Sequence, residues 1–153
     1  MSIVLGCALA LAACQPSASL ASPMIAAESG LSQVRLTVSG HGRIRRFIVE
    51  IAKTGEEQER GLMYRQSLAP DRGMIFPFAK PVRATFWMKD TLIPLDLIFI
   101  RADGTIANIA ANARPMDLSI IPSDGAVSTV FEIAGGRAAE LRIRAGDRVR
   151  WPH

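Results

Sequence analysis

Cysteine and histidine are scarce in this chain, and the few copies lie where they can do little chemistry. The two cysteines, Cys7 and Cys14, both fall in an apolar N-terminal stretch. An intradomain disulfide, a zinc–thiolate site and a cysteine nucleophile are therefore excluded from everything downstream of Cys14. His41 lies between two glycines, and His153 has no evident partner. A Ser/His/Asp triad is thus not predicted.

Signatures of nucleotide and nucleic-acid binding are missing as well. The sequence contains no phosphate-cradling glycine loop and no dinucleotide fingerprint. The net charge is +4, but no dense basic stripe is interleaved with aromatic residues. We therefore predict no cofactor, no metal and no nucleic-acid partner. Four arginines near the C-terminus form either a solvated face or a contact with an anionic envelope surface: Arg142, Arg144, Arg148 and Arg150.

The N-terminal stretch is apolar and carries no charged side chain. No Asp, Glu, Lys or Arg precedes Glu28, and residues 3–13 are almost all apolar. A helix needs about 20 residues to span a bilayer, so this run is too short to cross one. Its length is that of a signal-peptide core, which has about 7–15 apolar residues. The stretch therefore predicts export.

The Leu-Ala-Ala-Cys tetrad at residues 11–14 resembles a lipobox, the processing signal of bacterial lipoproteins. The resemblance implies that residues 1–13 are a removed signal peptide and that the Cys14 thiol carries a lipid anchor. The residue after the cysteine is Gln15, not an aspartate. By the same resemblance, this implies sorting to the outer membrane, with the domain facing the periplasm. The alternative is a secreted soluble protein, cleaved after Ala21 or Ala27.

The remaining chain divides into a tether and one domain. Residues 14–32 are rich in Ser, Ala and Pro, which predicts a lipidated, flexible tether. Residues 33–153 have the length of a single domain. Short stretches in which apolar and polar residues alternate indicate strands; they are 34–38, 47–51, 74–78, 84–88, 95–100, 105–110, 127–134 and 148–151.

These strands predict a mainly β fold, a small antiparallel sandwich or barrel. Thr54 and Glu57 form a capping box, which predicts one short helix over residues 55–65. A possible second helical turn covers residues 137–141. Residues 112–125, with two prolines, are expected to form a long loop.

Five motifs, in this order, resemble those of the domain of unknown function 192 family. The resemblance covers about residues 44–149 and implies a β-rich fold and frequent export, but no established activity. Asp90 stands where the family more often has asparagine. The motifs are Arg-Gly-Leu-Met at 60–63, Gly-Met-Ile-Phe at 73–76, Phe-Trp-Met-Lys-Asp-Thr-Leu-Ile-Pro-Leu-Asp at 86–96, Phe-Glu-Ile at 131–133 and Gly-Asp at 146–147.

The densest of these motifs predicts a binding cleft formed by Trp87, Lys89, Asp90 and Asp96. Trp87 either stacks on a ligand such as a sugar or fills the core. Asp96 lies in an apolar strand, where an unpaired carboxylate is costly. It either ties down the 89–94 loop or contacts a ligand. Glu132, in another apolar strand, is either a salt-bridged structural residue or, if it meets Asp96, half of a glycosidase-type acid–base pair.

Together the residues predict an exported, lipid-anchored envelope protein with a non-enzymatic binding or accessory role. Its partners would be the membrane, through the anchor, and an envelope glycan or envelope protein. The chain is expected to be a monomer. Two alternatives stay open: a hydrolase of cell-envelope glycan that uses Asp96 and Glu132 as paired carboxylates, and a purely structural envelope protein.

Overall fold

Alternating apolar residues fold most of the domain into strands. The computed structural model describes residues 29–152, so the predicted signal peptide, Cys14, most of the tether and His153 lie outside the described residues. The described part contains nine strands and two short helices: β1 Gln33–Gly40, β2 Arg43–Ile51, α1 Gly55–Arg60, β3 Arg72–Val82, β4 Thr85–Phe86, β5 Leu95–Ile100, β6 Ile106–Ala113, β7 Ile121–Pro122, β8 Val127–Ala134, α2 Arg137–Glu140 and β9 Arg148–Arg150.

Seven of these strands form one sheet, in the order β6-β5-β8-β3-β2-β1-β9, and β4 pairs with β7 in a small second sheet. The mainly β prediction is confirmed. The large sheet is mixed, because β2 and β3 run parallel. A parallel pair needs a crossover connection, and α1 with the loop after it provides one. The sheet is not a closed barrel: among the described residues, its two ends meet through a single isolated bridge, Thr105 to Arg148.

Helix α1, strand β3 and the strand expected over residues 84–88 differ from the sequence prediction. Helix α1 ends at Arg60 and does not reach residue 65, because Gly61 turns the chain with φ at +46°. Strand β3 continues through Pro77 to Val82 by means of a register shift. The strand expected over residues 84–88 is reduced to β4, which has two residues and pairs with β7 inside the predicted loop.

The core lies on both faces of the large sheet. Strand β5 is buried throughout, as a central strand with two covered faces should be. Ile98 and Ile100 belong to the apolar cluster on one face, and Leu97 and Phe99 to the cluster on the other. We call these the α2 face and the α1 face, because Ala138 packs in the first cluster and Leu62 in the second.

A buried ion pair fixes the loop that follows α1. The Arg65 guanidinium donates to both carboxylate oxygens of Glu50 on β2, at 2.8 and 2.6 Å. Bidentate geometry of this kind restricts both side chains. Ser29 also donates to Glu50. The loop after α1 is thereby held against the C-terminal end of β2, next to β3.

Candidate binding cleft

Asp96 is a structural residue that joins three parts of the chain. It is fully buried on β5. Its Oδ1 accepts hydrogen bonds from the backbone N–H groups of Asn112 (2.8 Å) and Gly136 (2.9 Å), and its Oδ2 from Ala138 (2.7 Å). These bonds fix the end of β6 and the start of α2. These bonds join Asp96 to residues 112, 136 and 138, in place of the predicted tie to the 89–94 loop.

The structure does not bring Asp96 and Glu132 together. In the antiparallel pair of β5 and β8, Asp96 lies opposite Ile133 and Leu97 lies opposite Glu132. Directly opposed residues share a face, and neighbouring residues in one strand point to opposite faces. Asp96 thus points to the α2 face and Glu132 to the α1 face. A glycosidase-type pair needs both carboxyl groups in one cleft, so this arrangement does not assemble one.

Glu132 is the polar group that stands out on the α1 face. Its side chain is 5% exposed and makes no hydrogen bond or ion pair with any residue of the described part. Burial alone raises the pKa of its carboxyl to about 8. The group is therefore mostly a neutral carboxylic acid near pH 7. The salt-bridged role considered from the sequence is not what the structure shows.

Glu132 lies at the floor of an open cleft of about 410 Å³ on the α1 face. This volume falls in the range of small-molecule sites, roughly 300–1,000 Å³. The walls come from the end of α1, from β3, and from the segment that holds β4 and Trp87. The residues that line the cleft are Gln58, Glu59, Arg60, Gly61, Leu62, Met63, Phe76, Phe78, Val82, Arg83, Ala84, Thr85, Phe86, Trp87, Thr91 and Glu132.

Aromatic rings make up much of the cleft. Phe76 and Phe86 meet edge to face at a centroid distance of 5.3 Å, and Phe86 meets Phe99 in the same way at 6.2 Å. Edge-to-face pairs fix ring orientation beyond simple contact. The cleft wall is therefore a connected aromatic cluster that continues into the core.

Gly61 explains how α1 can end so close to that wall. A Cβ atom built at this position would lie 3.3 Å from the Phe76 ring, and the φ of +46° is one that other residues rarely adopt. Glycine thus permits both the turn and the approach. The Arg-Gly-Leu-Met motif, which reads as part of a helix in the sequence, is in the structure the turn that shapes one side of the cleft.

Trp87 lines the cleft, and the exposed Lys89 lies over its ring. Trp87 is 49% exposed, so it does not fill the core. The Lys89 ammonium group lies 5.4 Å from the centre of the Trp87 ring, within cation–π range. One face of the indole ring is thereby covered by a cation, which leaves its edge and other face for a ligand.

Asp90 is held away from the cleft by Tyr64. The Tyr64 hydroxyl donates to the Asp90 carboxylate at 3.0 Å, and this bond raises the pKa of Tyr64 above its usual value. Both residues have positive φ, 64° and 53°. Asparagine and aspartate tolerate this backbone region better than most residues. An aspartate at position 90 is therefore compatible with this backbone conformation.

Sequence reasoning placed Trp87 and Glu132 among the candidates but missed the rest of the cleft. Arg60, Phe76, Phe86 and Thr91 all line it. Each lies in one of the motifs that carried the family resemblance, so the motifs themselves were the available signal. They are far apart in sequence, and only the crossover from β2 to β3 and the pairing of β3 with β8 bring them to one place.

Fold and site define a class: a small mixed-sheet domain with an aromatic cleft above one buried carboxyl group. The family model DUF192, described as "Uncharacterized ACR", matches residues 35–151. The chain belongs to this family. No curated protein matches the chain.

Two crystal structures are similar to this chain. One, at 1.22 Å resolution, is of a protein of unknown function from Novosphingobium aromaticivorans; it is 44% identical, with a TM-score of 0.82, and the match covers 92% of this chain and all of that one (100%). The other, from Sinorhizobium meliloti, is of a protein suggested to be a transcription regulator; it is 38% identical, with a TM-score of 0.77, over 79% of this chain and 95% of that one.

Proposed function

We propose that this protein is a lipid-anchored protein of the bacterial cell envelope, and that its domain binds a ligand in the cleft above Glu132 without breaking a bond in it. The observation that carries the binding role is Glu132 itself. A buried carboxyl group without a partner destabilises a fold. Glu132 lies at the floor of an open cleft with aromatic walls. A ligand bound there would supply the hydrogen-bond partner that the carboxyl group lacks and would offset the cost of its burial.

The proposed anchor rests on the lipobox-like tetrad that ends at Cys14. Neither helix among residues 29–152 is long and apolar enough to cross a membrane. Attachment through acyl chains at Cys14 would hold the domain at the membrane, since each buried CH₂ group contributes about 0.8 kcal/mol. A bilayer, an envelope glycan and an envelope protein are the partners that such a position would offer.

Labelled palmitate tests the anchor. The full chain, expressed in a Gram-negative host, should incorporate the label and fractionate with membranes. Cys14→Ser should lose both properties, because the thiol is the acceptor of the lipid. Cys7→Ser is the matched control, since it removes the other cysteine of the same apolar stretch. Equal labelling of Cys14→Ser and the unmodified protein would refute the lipidation.

The binding role is tested by comparing ligand binding with glycan turnover. In Trp151→Phe, Trp87 is the only tryptophan, because the chain has two. Fragments that occupy the cleft should change its fluorescence, and Glu132→Leu should weaken their binding at least tenfold, whereas Glu56→Gln on the exposed surface of α1 should not. Envelope glycans should not be cleaved. Glycan turnover that is lost in a folded Glu132→Gln variant would favour a hydrolase instead.

A further inference from the structure

Two polar residues that line the cleft beside Glu132, Gln58 and Thr91, already use their N–H and O–H groups within the protein. The Gln58 amide nitrogen donates to the carbonyls of Ala52 (3.1 Å) and Pro77 (2.9 Å), so its N–H groups are used. The Thr91 hydroxyl donates to Lys89 O at 3.1 Å. This leaves the O–H of the neutral Glu132 carboxyl as the free donor at the floor.

The mouth of the cleft adds two further donors. Arg60 at the end of α1 and Arg83 between β3 and β4 both line the cleft. Neither side chain forms an ion pair or a hydrogen bond with another residue of the described part. Glu59 is the one acidic side chain beside them. With Glu132 left out, the net charge of the residues that line the cleft is therefore +1. These charges lie at α1 and between β3 and β4.

We propose that the cleft selects a ligand with an acceptor oxygen, a carbonyl or a carboxylate, attached to a flat apolar body. The acceptor receives the O–H of Glu132 at the floor, and the apolar body lies between Phe76, Phe86 and Trp87. This assignment rests on the binding role proposed above and adds the chemical class of the ligand. An anionic acceptor gains further from Arg60 and Arg83 at the mouth.

An amine is the opposite choice, and the cleft opposes it in two ways. An ammonium group would pass the two guanidinium groups at the mouth. Its strongest partner would be an ionised Glu132, and burial favours the neutral form of that carboxyl. Aromatic walls can attract cations, but Lys89 already occupies one face of the Trp87 ring.

Three probes of one shape separate these chemistries: 4-phenylbutanamide, 4-phenylbutyrate and 4-phenylbutylamine. Binding is measured by Trp87 fluorescence in the full-length Trp151→Phe chain. The amide and the carboxylate should bind, and the amine should bind at least tenfold more weakly. Affinity for the amide should fall about tenfold for each pH unit above about 8, as Glu132 loses its proton. Arg83→Ala should weaken the carboxylate more than the amide, because only the carboxylate loses the attraction between opposite charges.

Variants of Glu132 identify the donor. Glu132→Gln retains N–H donors, so it should keep the amide bound while abolishing the pH dependence. Glu132→Leu has no donor and should lose the amide. If the amine binds best and tightens as the pH rises, the ligand class is wrong although the binding role stands. If none of the three probes changes Trp87 fluorescence, the ligand class is overturned, and the fragment screen decides separately whether the cleft binds anything.

Discussion

Asp96→Ala is expected to lower the free energy of unfolding by about 3–5 kcal/mol. Asp96 is fully buried and accepts three backbone N–H groups. Alanine would leave these donors without an acceptor in a site that water reaches poorly, and each buried unsatisfied group costs about 1–3 kcal/mol. The loss would loosen the end of β6 and the start of α2 together, because one carboxylate holds both.

Urea unfolding followed by circular dichroism measures this loss. Asp96→Asn should also destabilise the fold, by about 2 kcal/mol, because an amide can accept at one position but presents N–H groups to a donor at the other. Asp71→Ala is the matched control, since Asp71 is exposed and should change stability by less than about 0.5 kcal/mol. If Asp96→Ala were as stable as Asp71→Ala, the structural role assigned to Asp96 would be wrong.

Glu132→Gln is expected to stabilise the protein, and to do so only above acidic pH. The carboxyl pKa rises from 4.5 to about 8 on folding. For a raised pKa, the folded state binds the proton more tightly than the unfolded chain, so stability is full below about pH 4.5 and declines as the pH rises to about 8. The cost is about 3 kcal/mol near pH 7 and about 5 kcal/mol above the folded pKa. Glutamine, which is neutral at every pH, avoids it.

Thermal unfolding across a pH series tests this prediction. The two proteins should have similar stability near pH 4, and the advantage of Glu132→Gln should grow from about pH 5 to pH 8 and then level off. Glu56→Gln, on the exposed surface of α1, should show no such trend. A constant difference between Glu132→Gln and the unmodified protein at all pH values would mean that Glu132 does not change its proton affinity on folding. A gain in stability in Glu132→Gln, together with the loss of ligand binding in Glu132→Leu, would mark Glu132 as a residue retained for function.

Local patterns predicted the strands well because alternation is a local property. The hairpin of β1 and β2, with His41 and Gly42 at positive φ in its turn, follows from a Gly-His-Gly signal between two alternating runs. The Asp-Gly turn between β5 and β6 does the same. The continuation of β3 through Pro77 was not predictable, because proline usually interrupts a strand and only the register shift against β8 accommodates it.

The candidate site was predicted less completely, since it depends on which strands are neighbours. The alternation in β8 correctly placed Glu132 on the face of Val130. Alternation alone does not say whether Asp96 and Glu132 share a face. That follows only from the pairing of β5 with β8, in which Leu97 lies opposite Glu132. The partners of Asp96 come from residues 112, 136 and 138, which no spacing in the sequence connects with it. Its role as an acceptor for three backbone groups could thus be found only from the structure.

The pairing of β1 with β9 has a consequence for how the protein is made. Thr37 and Arg150 are partners although 113 residues separate them. Contacts of such long range slow folding, because a large loop must close before they form. During synthesis, β1 leaves the ribosome long before β9 exists, so the sheet cannot be completed until nearly the whole domain has emerged. A domain that completes its sheet this late is still unfolded when its first strands have left the ribosome, which suits the export proposed here.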